Sequence, residues 1–204
     1  VTVTSGAGLT TSGVVNMGSG TTAATGDVTF SSGVATGGIS GAAVFKSGGS
    51  TAKSGDVTLQ SGDASAASSG AVSVLSGTGT GGNGGFVTIA AGSGTVGAGG
   101  DVVISAGANT GAPAPNQAAG GRVVLTSGSS TKTTSGSIFV SSFKAGASGR
   151  SGSIHLSTGT TTAGLSGGIY LGTGTGLGDS AGDIDPSGGA ATMAAGGKLT
   201  YVIQ

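Results

Sequence analysis

Residues 85–107 read GFVTIAAGSGTVGAGGDVVISAG. Aliphatic residues stand two apart in Val87/Ile89 and again in Val102/Ile104. That is the period-two mark of a half-buried strand. A glycine opens each run, at Gly85 and Gly100, and a small–Gly pair closes it, at Ala91-Gly92 and Ala106-Gly107. The two runs are fifteen residues apart. Whether that interval recurs decides the fold.

It recurs along the whole chain. On the frame Gly, any, apolar, any, apolar, any, small, Gly, the opening glycines (slot one) are Gly13, Gly26, Gly41, Gly55, Gly70, Gly85, Gly100, Gly121, Gly136, Gly152, Gly167, Gly182 and Gly197. With the first copy at Val1 this makes fourteen units of about fifteen residues. Slots three and five read Val1/Val3, Val15/Met17, Val28/Phe30, Ala43/Phe45, Val57/Leu59, Val72/Val74 and Val87/Ile89. They continue as Val102/Ile104, Val123/Leu125, Ile138/Val140, Ile154/Leu156, Ile169/Leu171, Ile184/Pro186 and Leu199/Tyr201. Helix is excluded, because apolar residues do not recur at three-to-four spacing and glycine penalises every turn.

These features predict an all-β fold: a parallel β-solenoid, or β-helix, of about fourteen coils filling residues 1–204 as one domain. Each unit is one coil, with glycine supplying positive φ at its corners. Like strands would stack about 4.7–4.9 Å apart. No coil can bury enough apolar area to stand alone, so stability is shared with neighbours. The alternative is an antiparallel β-meander with the glycines as hairpin turns; a polyglycine-II bundle fits the spacing less well. One insertion loop interrupts the register at 108–120, where Pro113 and Pro115 bar it from a ladder. Residues 197–204 depart from the frame and are expected to form a C-terminal cap or a docking end. The chain opens in mid-repeat, which predicts a processed product or a piece of a longer array.

The composition carries the same message. Of 204 residues 48 are glycine, charged residues are 7% and aromatics 3%. Seven basic and seven acidic residues cancel, leaving no basic stripe for nucleic acid. No apolar stretch is long enough for a transmembrane helix. There is no cysteine, hence neither disulfide nor thiolate metal site. Units such as TGDVTFSSG (25–33), SGDVTLQSG (54–62) and SGSIHLSTG (151–159) resemble short-period β-solenoids. These include the insect antifreeze solenoids and repetitive Gly/Ser-rich surface or fibre proteins. The resemblance implies an extracellular or surface location and either a structural role or an ice-binding face.

Four features are candidates for function. Slot eleven forms a threonine column: Thr36, Thr51, Ser65, Thr80, Thr95, Thr110 and Thr131, then Thr162 and Thr192. Stacked outward, it would be a flat hydroxyl–methyl face for ice or a regular polysaccharide, as the resemblance implies; equally, threonine simply suits a ladder. Slot four of the later units holds Val103, Val124, Phe139, His155 and Tyr170. Because slots three and five point inward, this stripe points outward. It would pack against another subunit or a glycan, or stabilise itself as an aromatic ladder. The loop 108–120 would project from one face, either as part of a working surface or, more simply, as tolerated surface drift. Finally, Asp27, Asp56, Asp101 and Asp183 occupy slot two, with Asp185 nearby. Calcium needs acids on adjacent coils, and these are well separated, so no metal is expected.

Catalysis has little to draw on. Glutamate is absent and His155 is the lone histidine, with no acid fixed beside it by spacing. A nucleophilic triad needs all its members within hydrogen-bond reach. The sequence therefore predicts a non-enzyme without cofactor or metal: a structural fibre, filament or adhesive shaft that self-associates, with ice or polysaccharide binding as the alternative.

Overall fold

A computed structural model describes residues 2–5, 13–21, 25–110, 119–178, 180–190, 197–198 and 200. It divides into two units, Val1–Val102 and Val103–Gln204. Among the described residues there is neither helix nor strand. The expected β-solenoid is therefore not what this chain forms, and its antiparallel meander alternative lacks the strands it needs. Val1, Leu199, Tyr201, Pro113, Pro115 and Thr192 lie outside the described residues.

The decisive geometry sits at the glycines. In a fifteen-residue coil, Gly85 would stand one strand spacing above Gly70. It would then be roughly 23 Å from Gly77, at the far end of a seven-residue run. Instead the Gly85 amide donates to the Gly77 carbonyl at 3.0 Å. Gly100 donates likewise to Gly92 at 2.9 Å, Gly121 to Gly107 at 2.8 Å, Gly136 to Gly128 at 2.9 Å and Gly197 to Gly189 at 2.7 Å. Every one of these bonds joins slot one to slot eight of the preceding unit. The second half of each unit is thus a loop closed at its own mouth, and the chain turns back there.

The same mouth recurs where no such bond is formed. A Cβ placed on Gly13, Gly41, Gly55, Gly70, Gly152, Gly167 or Gly182 would lie 3.5–3.9 Å from a slot-seven side chain, such as Ser32 for Gly41. One loop differs: slot eight is Phe143, and the backbone bond forms further out, from the Gly149 amide to the Gly146 carbonyl at 3.1 Å.

Why loops close while strands do not form follows from local costs. Bringing together the ends of a seven-residue loop needs little entropy. A ladder must instead order glycine-rich backbone, which loses more freedom than any other. Beyond the mouths, few residues twelve or more apart in sequence come close, so successive runs form no ladder. The described residues share six backbone–backbone hydrogen bonds, against roughly two for every three residues in an ordinary fold.

The runs retain a period-two character without a core. Ile138 is 48% exposed, Phe139 90% and Val140 66%. The same order holds at Ile169, Tyr170 and Leu171. In these two runs slots three and five share one side, as the sequence predicts, whereas Val123, Val124 and Leu125 show no such alternation, and no described residue is buried. Where the apolar side is formed it stays largely uncovered.

Glycine serves a purpose other than the one expected. No described residue has positive φ, so the corners do not demand left-handed backbone. The requirement is closeness instead: a Cβ on Gly79 would collide with the Asn83 carbonyl, and one on Gly94 with the carbonyls of Gly97 and Ala98.

Candidate functional site

The threonine column falls on the loops. Thr36, Thr51, Ser65, Thr80, Thr95, Thr131 and Thr162 are all exposed, and each is the first residue of the bend at its loop's apex. Thr110 is exposed beside the undescribed residues 111–118. The stack of strands that was to align these hydroxyls is absent from the described residues.

One position upstream is the residue that shapes the loop. At slot ten, Ser50 Oγ accepts from the Ala52 amide at 3.0 Å. Ser130 Oγ accepts from the Lys132 amide at 3.3 Å and the Thr133 amide at 3.0 Å. It also shares a hydroxyl–hydroxyl bond with Thr133 Oγ1 at 2.9 Å. Thr161 Oγ1 accepts from the Gly164 amide at 3.1 Å. These are side-chain-closed turns, in which a hydroxyl replaces a backbone acceptor for amides two and three residues on. At two slot-ten glycines, Gly79 and Gly94, backbone carbonyls occupy the space a side chain would need. The signal in the sequence is the restriction of slot ten to Gly, Ala, Ser, Thr and Asn.

A second hydroxyl secures a mouth. Ser76 Oγ donates to the Gly85 carbonyl at 2.9 Å, while the Gly85 amide is held by Gly77. Both polar groups of Gly85 are thereby engaged from slots seven and eight.

In the unit Val103–Gln204, the slot-four residues Val103, Val124, Phe139, His155 and Tyr170 are all exposed. Tyr170 is 94% exposed and its ring lies over Gly168, where a Cβ would stand 2.9 Å from the ring edge. No ring contact joins Phe139, His155 and Tyr170. The aromatic contact among the described residues is in the other unit, between Phe30 and Phe45, at 6.0 Å and 85°. That edge-to-face arrangement is a favoured one for aromatic pairs.

Asp27, Asp56, Asp101, Asp183 and Asp185 are exposed. Among the described residues no three of His, Cys, Asp or Glu gather, and no helix is long and apolar enough to cross a membrane. No protein family, curated protein or solved structure matches the chain.

Proposed function

We propose that the chain is a non-catalytic structural repeat of an extracellular or particle-surface fibre, and that it reaches its working form by self-association. What carries this reading is its uncovered surface. The chain exposes 19826 Å², whereas a folded monomer of 18.3 kDa exposes about 8,000 Å². Ordering a backbone without burying apolar side chains leaves chain entropy unopposed. A periodic apolar pattern that finds no cover within its own chain is covered by other chains.

Two further observations support it. A loop mouth closed between slots one and eight recurs in five units, which suits a structural module copied along a fibre better than a single reactive centre. Low charge density and zero formal charge let chains approach one another without electrostatic opposition.

Sedimentation velocity over a concentration series, with electron microscopy of the same samples, tests the proposal. Size rising with concentration, and filaments or lateral bundles on the grid, are expected. A chain that stays monomeric across the series overturns it.

A further inference from the structure

We infer that slots three and five form the face through which one copy of the chain meets a second copy; this rests on the self-association just proposed and names its surface. Across the described runs, from Val15/Met17 to Ile169/Leu171, both slots are apolar and both are left open. The charged residues fall elsewhere, at slot two in Asp56, Asp101 and Arg122, at slot six in Lys46 and in the loops in Lys132 and Lys144. A face bare of charge does not suit a charged macromolecule; it suits another face of its own kind.

Area points the same way. The chain exposes roughly 12,000 Å² beyond a compact monomer of its mass, several times the 1,200–2,000 Å² or so that a specific protein–protein interface buries. The slot-four stripe is a poorer candidate. It is apolar or aromatic in a minority of units and elsewhere reads Thr29, Thr58, Ser73, Thr88 and Asp185. Two copies meeting through slots three and five would leave slot four and the loops outward.

The chain has no cysteine, so a single introduced thiol reports cover at one position. Ile154→Cys places it at slot three and His155→Cys at slot four; Ile169→Cys and Tyr170→Cys repeat the pair one run on. Alkylation by iodoacetamide is timed from dilute to concentrated chain. The slot-three thiols should slow about tenfold once nine chains in ten are assembled, because only the remaining free chain reacts. The slot-four thiols should keep their rate. Slot-three protection that is already complete at the highest dilution would overturn the inference, because the chain would then cover its own face. Protection of slot four without slot three, in a chain that still grows with concentration, would overturn the face but spare the self-association. A wild-type chain that stays monomeric would overturn both.

Discussion

The amide of Gly121 donates to the carbonyl of Gly107 at 2.8 Å, across residues 108–120. Gly100 makes the same bond to Gly92 across residues 93–99. These two mouths thus share one backbone bond although their loops differ in length.

Loop length should therefore be nearly free. Replacing residues 108–120 by residues 93–99 shortens thirteen residues to seven, which changes closure entropy by about 0.6 kcal/mol. Exchange of the Gly121 amide with solvent should slow about threefold, with assembly unaltered. NMR-detected hydrogen exchange reads the rate and sedimentation the assembly.

The two glycines of a mouth should differ in tolerance. A Cβ on Gly121 would meet Ala106 Cβ and the Gly107 nitrogen at 3.3 Å, and one on Gly85 would meet Ser76 Cβ at 3.2 Å. At Gly92 and Gly107 it would meet nothing within 4 Å. Gly121→Ala and Gly85→Ala should weaken closure by up to about 1 kcal/mol, the worth of the single backbone bond they crowd. Gly92→Ala and Gly107→Ala should strengthen it by about 0.4–1 kcal/mol, through reduced freedom of the open chain. Exchange rates of the closing amides give the sign directly.

The slot-ten hydroxyl should matter more than its neighbours. Ser130→Ala removes the acceptor for the Lys132 and Thr133 amides. At about 1 kcal/mol for a hydrogen bond, those amides should exchange about fivefold faster. Ser129→Ala, one residue upstream, should leave both rates unchanged. Residue-resolved exchange in the two variants checks this.

Gly168→Ala should move the Tyr170 ring without harming the backbone. The added Cβ would stand 2.9 Å from the ring edge, and the ring lies at the end of a free side chain, so it can swing aside. The Phe substitution at Tyr201 leaves Tyr170 as the lone fluorophore of its kind, since tryptophan is absent. In that background Gly168→Ala should change tyrosine emission while stability shifts by less than about 0.5 kcal/mol.

The repeat itself was legible in the sequence. Its register, the glycine at slot one, the insertion at 108–120 and the sidedness of Ile138, Phe139 and Val140 all follow from spacing. The direction in which units meet was not. A fifteen-residue interval is the same whether Gly85 sits above Gly70 or returns beside Gly77, because period carries no sign. Nor could the pattern say that Ile154 and Leu156 would lack cover, since alternation states which side is apolar and not what lies against it. Positive φ was the wrong reason for the glycines: Gly79 and Gly94 are small because carbonyls crowd them.

The single-bond mouths have a mechanical consequence. Pulling apart Gly92 and Gly100 breaks one exposed hydrogen bond, about 1 kcal/mol, and releases about 20 Å of slack. The ratio is a force on the order of 3 pN, well within reach of thermal agitation. A tethered chain would lengthen clasp by clasp and recoil as each re-closes, behaving as a soft spring instead of a rigid strut.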